Sequence, residues 1–181
     1  CNKQNTPEFL RLKNSMKLLK NASAEKLRGG FYTPEPIAAF ILKWGINGSS
    51  DYEILEPSCG DGVFLKQLKE RKSLYKSVTA IEFDSVEANK ASQINLTNTL
   101  VINHDFHSYC NETLERFDLV VGNPPYIRYQ DFDKEQQIEA GKIFKKAGLK
   151  YSKLTNAWVS FIIGSSLLLK EKGKIGFVVP A

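Results

Sequence analysis

The stretch I-L-E-P-S-C-G-D-G-V-F-L, residues 54–65, has the pattern of a buried strand, a turn with two glycines and the start of a helix. Glycine lets a backbone turn sharply and approach a ligand without a Cβ in the way. The turn lacks the third glycine of the dinucleotide fingerprint and the Gly-Lys-Ser/Thr of a phosphate loop. Asp61 stands where that loop has its lysine, so a neutral or cationic ligand suits this turn better than a pyrophosphate. A plain strand-to-helix turn is the alternative interpretation of this segment.

Strand and helix patterns alternate on both sides of this turn. Strands are predicted at residues 53–56, 77–82, 100–103, 117–122 and 174–179, and helices at 63–71, 85–91 and 158–170. The alternation predicts an α/β fold with a doubly wound, Rossmann-like and mostly parallel sheet of about five strands. Residues 131–153 are highly charged and interrupt the alternation, so we expect a solvent-exposed insertion with one helix there.

Two helices are predicted upstream of the sheet. Residues 9–26 carry apolar side chains at helical spacing, and a glycine pair ends the pattern. Thr33 is expected to cap a second helix with Pro34 at its first position. The second helix would present one apolar face, made of Ile37, Phe40, Ile41 and Trp44.

Polar residues follow three further strands at the edge where open α/β sheets bind ligands. Glu82 and Phe83 come at the end of the second strand, and Asp105 and Phe106 follow the third. The carboxylate after the second strand is well placed to accept hydrogen bonds from two ribose hydroxyls. The acid and the aromatic ring after the third strand could contact the amino group and the face of an adenine. Either acid taken singly is also compatible with an ordinary solvated loop. The fourth strand runs into N-P-P-Y, residues 123–126, where two prolines make a rigid turn that presents an amide and an aromatic ring.

Composition limits the classes of function. The chain has 181 residues, a net charge of +5, 42% hydrophobic and 25% charged residues, which is typical of a globular domain with a mild preference for polyanions. The apolar run at residues 158–169 is too short to cross a bilayer, so no membrane partner is expected. Three cysteines without paired spacing indicate free thiols in a reducing compartment. His104 and His107 have no cluster of further ligands around them, so no metal is expected.

The motifs together resemble one family. Tyr32-Thr33-Pro34, the glycine turn, the acids after the strands and Asn123-Pro124-Pro125-Tyr126 occur in the order found in N6-adenine DNA methyltransferases of the gamma arrangement, which belong to restriction-modification systems. The resemblance extends from about residue 27 to residue 180. With the helical pattern upstream, it divides the chain into an N-terminal helical segment (1–28) and an S-adenosylmethionine-binding catalytic domain (29–181), which the resemblance implies to be incomplete at its C-terminus. We therefore expect this segment by itself to be inactive or non-specific.

The resemblance implies a role for each motif residue. The cofactor would be bound by Tyr32, Thr33, Glu56, Ser58, Cys59, Gly60, Glu82, Phe83, Asp105, Phe106 and Asn123. Within that set, Glu56 would lie near the amino group of the methionine part and Glu82 would bind the ribose. The catalytic residues would be Asn123, Pro124, Pro125 and Tyr126.

The chemistry of the last motif agrees with that role. An aromatic amine is a poor nucleophile because its lone pair is delocalised into the ring. The Asn123 side-chain oxygen and the Pro124 carbonyl could each accept one N–H and draw the nitrogen toward tetrahedral geometry, ready for direct in-line methyl transfer. The target adenine must leave the duplex to reach such a site, and Tyr126 would stack on it. The implied partner is double-stranded DNA, with target-recognition or nuclease parts in the same polypeptide or in a partner subunit.

Three alternatives stay open at this point. A protein-glutamine methyltransferase uses a similar Asn-Pro-Pro-Tyr, but that family lacks the element at residues 32–34. An RNA base methyltransferase is excluded less firmly. The third alternative is a non-catalytic cofactor-binding module of a larger assembly. A DNA substrate implies the cytoplasm of a bacterium or archaeon.

Overall fold

A parallel five-stranded sheet forms the centre of the fold. The computed structural model describes residues 33–47, 51–71, 74–128, 131–152 and 156–179, so Tyr32 and the helix predicted at 9–26 lie outside the described residues. The strands are β1 (Tyr52–Glu56), β2 (Tyr75–Glu82), β3 (Thr99–Asn103), β4 (Phe117–Gly122) and β5 (Leu169–Phe177). Their order in the sheet is β3-β2-β1-β4-β5, and every neighbouring pair is parallel. The predicted fold class is confirmed.

Helices cover both faces of this sheet. In the part of the chain that the structure describes they are α1 (Glu35–Gly45), α2 (Val63–Lys69), α3 (Ser85–Ser92), α4 (Phe106–Glu112), α5 (Lys134–Lys146) and α6 (Ala157–Leu167). One core contains buried residues of α1, α2 and α3, and the other contains residues of α4, α5 and α6. Successive strand residues alternate between the two cores: Ile54 and Leu119 face the first, and Leu55 and Val120 face the second. None of the described helices is long and apolar enough to cross a membrane.

The predicted start of α1 is wrong by one residue. Pro34, not Thr33, is the N-cap, because its ψ of 136° is extended while its carbonyl accepts the Ile37 and Ala38 amides. Thr33 is only 6% exposed and lies outside the helix. Its side chain is therefore not used as a cap.

The predicted apolar face of α1 is also mostly wrong. The helix packs on the sheet through Ala38, Ile41, Leu42 and Gly45, whereas Ile37, Phe40 and Trp44 are exposed. Gly45 is part of this packed face, and a Cβ there would lie 2.7 Å from Leu119 Cδ1. A glycine at this position lets the helix backbone approach β4 closely.

The boundary between α6 and β5 differs from the prediction. The apolar run was expected to be helical to residue 170, but α6 ends at Leu167 and β5 begins at Leu169 rather than at residue 174. Leu169 pairs with Phe117 of β4, and the Phe117 amide donates to Leu168 O (2.9 Å). Pairing with β4 therefore draws the end of the run into the sheet.

The sequence interpretation missed α4 and misjudged the insertion. Asp105 caps α4 by accepting the Ser108 amide (2.8 Å), and the buried residues of this short helix include a histidine, which hides its apolar pattern. The single helix expected in 131–153 is α5. That segment is not a solvent-exposed insertion throughout, because Ala140, Ile143 and Phe144 are buried.

Candidate active site

A cavity of about 350 Å³ opens at the carboxyl ends of the strands. The sheet order reverses next to β1, since β2 lies on one side of it and β4 on the other, and such switch points form ligand crevices. The predicted site residues that line this cavity are Thr33, Glu56, Ser58, Cys59, Gly60, Glu82, Phe83, Asp105, Phe106, Asn123 and Pro125. Every predicted cofactor-binding residue that the structure describes is in this lining.

The glycine turn forms one wall of the cavity. Gly60 and Gly62 have φ values of +52° and +86°, a left-handed conformation that favours glycine. A Cβ on Gly62 would lie 2.4 Å from Ile94 Cδ1, whereas a Cβ on Gly60 would meet nothing within 4 Å. The Ser58 hydroxyl donates to the Asn123 carbonyl (3.3 Å), which ties this turn to the loop after β4.

Glu56 is the most deeply buried acid of the site. The residue is 1% exposed, and its Oε2 atom has no hydrogen-bond partner among the described residues. Burial, followed by the nearby carboxylates of Glu82 and Asp61, raises the pKa of Glu56 well above its ordinary range. An unpaired carboxylate in such a position is suited to a cationic group that enters the cavity.

Glu82 is held in a fixed orientation at the end of β2. Its Oε2 accepts the Gly60 amide (2.8 Å) and its Oε1 accepts the Asp84 amide (2.8 Å). Burial raises the pKa of Glu82, and the two amide contacts oppose that shift. Because each carboxylate oxygen has a second acceptor position, the group can still accept from two adjacent hydroxyls. Next to it, Phe83 is 62% exposed and offers an apolar face at the cavity mouth.

Asp105 connects β3, α4 and α5 at the far side of the cavity. Besides capping α4, its carboxylate accepts the Gln136 side-chain amide (3.2 Å) and lies 3.4 Å from His107 Nδ1. Burial by itself would raise the pKa of Asp105, but the contact with His107, with help from Ser108 and Gln136, lowers that pKa to about 2. Asp105 is therefore an ionised acceptor at neutral pH. Phe106 is buried behind it and stacks on Phe161, with ring centroids 4.8 Å apart.

The Asn-Pro-Pro-Tyr turn follows β4 directly. Asn123 and Pro125 line the cavity, Pro124 is buried, and Tyr126 is half-buried next to Asn123. The Tyr126 hydroxyl contacts Asn123 Oδ1 and the Val178 carbonyl (2.8 Å). Its single proton serves one acceptor at a time, so the hydroxyl competes with any other donor for the Asn123 oxygen.

Sequence reasoning missed the residues that support the predicted ones. Gln136, His107 and Phe132 come from α4 and from the segment around the start of α5, and all three line the cavity or hold Asp105. The capping pattern Asp133-x-x-Gln136 was visible in the sequence, and its reciprocal bonds are present in the structure. Its second contact, with Asp105, had no local signal. Among the described residues, no group of three or more metal-ligating side chains is found.

Comparisons with known proteins agree with this arrangement. The family model described as Eco57I restriction-modification methylase matches residues 9–181. The Type II methyltransferase M.AccI of Acinetobacter calcoaceticus is 26% identical over 154 residues, which cover 83% of this chain and 27% of that protein. A tRNA1(Val) (adenine(37)-N6)-methyltransferase of Haemophilus influenzae is 29% identical over 133 residues, covering 70% of this chain and 53% of that protein.

The fold agrees with that of a solved structure. A candidate class I S-adenosylmethionine-dependent methyltransferase of Listeria monocytogenes superposes with a TM-score of 0.68 over 96% of this chain and 54% of its own, at 18% identity. At that identity the likeness concerns the fold only. The chain spans only about a quarter of the length of relatives such as M.AccI.

Proposed function

Since the chain belongs to the Eco57I restriction-modification methylase family, we propose that it is the catalytic core of an enzyme that methylates the N6 amino group of adenine in DNA, with S-adenosylmethionine as methyl donor. One observation carries this proposal. Acids at the ends of β1 and β2 and directly after β3 line the same cavity as the Asn123 turn after β4. The boundaries 1–28 and 29–181 stay as the proposed division of the chain.

The cavity fits the cofactor. The unpaired Oε2 of buried Glu56 would bind the ammonium of the methionine part, with Thr33 and the backbone of Ser58–Gly60 around it. Glu82 would accept the two ribose hydroxyls, Asp105 the adenine amino group, and Phe83 and Phe106 would contact the adenine. The sulfonium of S-adenosylmethionine supplies an electrophilic methyl group.

The target amine would be received by the turn after β4. Asn123 Oδ1 and the Pro124 carbonyl would each accept one N–H of the amine, which keeps its lone pair off the ring and directed at the methyl group. The prolines restrict the backbone of this turn, so little reorganisation is needed at the moment of reaction. In binding, the amine would replace the Tyr126 hydroxyl at Asn123 Oδ1, and the freed Tyr126 ring would stack on the base.

The proposed substrate is double-stranded DNA with the target adenine flipped out, in the cytoplasm of a bacterium or archaeon. Recognition of a base sequence would come from parts of the enzyme beyond the region described here, in the same polypeptide or a partner subunit. An RNA adenine is the second candidate, because the Haemophilus influenzae tRNA methyltransferase has a similar identity to this chain (29%, against 26% for M.AccI), although over a shorter part of it.

A methylation assay separates the two candidates. The full-length enzyme is incubated with labelled S-adenosylmethionine and equal amounts of mixed-sequence duplex DNA and unmodified tRNA, and both are digested to nucleosides. We expect N6-methyladenine from the DNA alone. Label in the tRNA alone would favour the RNA candidate, and label in neither, with the cofactor bound normally, would support a non-catalytic module. Label on a glutamine of an added protein mixture would identify a protein methyltransferase.

A further inference from the structure

His107 is a buried histidine in the wall of the cavity. The residue lies on α4, and its side chain is 1% exposed. Phe132 and Phe161 pack against the ring edge-on, with centroid distances of 5.3 and 5.0 Å. Aromatic rings on these sides leave the two ring nitrogens dependent on partners within the protein. Those partners are Asp105 at Nδ1 (3.4 Å) and the Ser160 hydroxyl at Nε2 (2.7 Å).

The Asp105 carboxylate favours a proton on His107 Nδ1, and the Ser160 hydroxyl is the partner of the other ring nitrogen. This hydroxyl lies 2.7 Å from His107 Nε2 and 2.7 Å from the Ala157 carbonyl, and its one proton serves one of them at a time. If that proton goes to Nε2, the neutral ring carries its own proton on Nδ1. If it goes to Ala157, Nε2 donates to Ser160 and the ring is protonated at both nitrogens. In either arrangement Nδ1–H points at Asp105. In the remaining tautomer Nδ1 carries no proton, and its lone pair would face a lone pair of the Asp105 carboxylate.

The Asp105 carboxylate is thereby held at three points. Ser108 and Gln136 donate to it at 2.8 and 3.2 Å, and His107 completes the set. A carboxylate has about four acceptor positions. Three are used inside the protein, so about one is left for the cavity that Asp105 lines. A carboxylate in this state accepts from a single N–H and repels a carbonyl oxygen.

We propose that His107 and Ser160 are positioning residues that fix this last acceptor position of Asp105, and that they make the site select a 6-aminopurine over a 6-oxopurine. The inference rests on the proposed function, because it takes the cofactor adenine as the group that Asp105 contacts. Neither His107 nor Ser160 touches the reacting atoms.

Binding of two product analogues tests the proposal. S-adenosylhomocysteine and its deaminated analogue, which has a 6-oxo group, are titrated calorimetrically into the wild-type protein and into three variants. We expect the wild type to prefer the amino form by at least about tenfold, as for one hydrogen bond to a charged group. His107→Gln, whose amide reaches toward the Nε2 position, should lose most of that preference. His107→Asn, whose amide lies near the Nδ1 position, should retain most of it.

Two serines of α6 give a matched pair of controls. Ser160→Ala removes the partner of Nε2 and should reduce the preference several-fold. Ser165 is equally buried on the same helix, and its hydroxyl has no hydrogen-bond partner among the residues that the structure describes, so Ser165→Ala should leave the preference unchanged. A merely structural role of His107 would weaken both analogues equally and overturn the inference. So would equal preference in His107→Gln and the wild type. If the wild type binds neither analogue, the proposed function fails as well.

Discussion

Replacing Glu56 with Gln should stabilise the ligand-free protein and weaken cofactor binding. In the folded state Glu56 is almost fully buried, and one carboxylate oxygen has no hydrogen-bond partner in the part of the chain that the structure describes. Leaving a buried polar group unpaired costs about 1–3 kcal/mol, and more when the group is charged. A neutral amide avoids the cost of the charge. We therefore expect the free energy of unfolding of Glu56→Gln at pH 8 to rise by about 1–3 kcal/mol, with Tm rising about 2–4 °C for each kcal/mol.

The pH dependence of this gain has a definite sign. Burial raises the pKa of Glu56 in the folded protein above its ordinary value of 4.5, so the folded state binds the proton more tightly than the unfolded chain. Stability of the wild type is therefore lost as pH rises from about 4.5 through the raised pKa. The stability difference between Glu56→Gln and the wild type should be small near pH 4.5 and should increase as the pH is raised to 8. Cofactor binding by Glu56→Gln should be weaker than in the wild type, although the ligand-free variant is more stable. Loss of a charged acceptor for the ammonium costs about 1.5–3 kcal/mol, or about 10- to 150-fold in Kd.

Glu53 provides the control on the same strand. Its carboxylate pairs with Lys76 and Lys170 at the other end of β1, and these partners lower its pKa. Glu53→Gln makes the same chemical change, yet it should reduce stability by no more than about 1 kcal/mol and leave the Kd for S-adenosylmethionine unchanged. Thermal unfolding and calorimetry of both variants decide the matter. A Glu56→Gln protein that is less stable than the wild type would refute the cost assigned to the unpaired buried charge. One that binds the cofactor equally well would refute the assignment of Glu56 to the ammonium.

Three further predictions concern catalysis and packing. Asn123→Ala should slow single-turnover methyl transfer by at least about 10²-fold, by analogy with loss of one oxyanion-hole donor. The Kd for the cofactor should stay within about twofold of the wild-type value. A near-normal rate would make Asn123 a structural turn residue. Tyr126→Phe keeps the ring and removes the hydroxyl that competes for the Asn123 oxygen, so we expect an unchanged or higher rate of methyl transfer. Tyr126→Ala removes the ring and should weaken binding of the flipped base by about 1–3 kcal/mol. Equal losses in both variants would contradict the stacking role. Gly45→Ala sets a Cβ against Leu119 and should lower the free energy of unfolding by about 1–3 kcal/mol. Gly141→Ala, on α5, places a Cβ at ordinary contact distance from Tyr151 and should not lower it. Urea denaturation compares the two variants, and equal effects would count against close packing at Gly45.

The sequence was sufficient to predict the features that depend on local chemistry. Alternating strands and helices predicted the parallel sheet, and because parallel strands end at the same edge, Glu56, Glu82, Asp105 and Asn123 could be expected to converge. The end of α6 could not be predicted, because a short apolar run is compatible with both a buried helix and a buried strand. The strand begins where Leu169 pairs with Phe117 of β4, a contact that the local sequence does not indicate.

What holds the site together depends on contacts between distant parts of the chain. Ser58 bonds Asn123, Gln136 bonds Asp105, and His107 meets Ser160, in each case across more than thirty residues or between separate elements. No local sequence pattern indicates such a pair. The motifs therefore predicted the side chains that line the cavity but not the residues that hold them in place.

The supports also divide the site between the two faces of the sheet. The glycine turn leads into α2, which packs on one face, and its Gly60 amide orients Glu82, the proposed ribose ligand. Asp105, the proposed adenine ligand, is oriented by α4, α5 and α6, which pack on the other face. If these assignments hold, a change in packing of the second face would alter adenine binding before it altered the ribose contact. The β4–β5 connection, which contains α5 and α6, is thus the part of the fold in which we expect purine selectivity to be set.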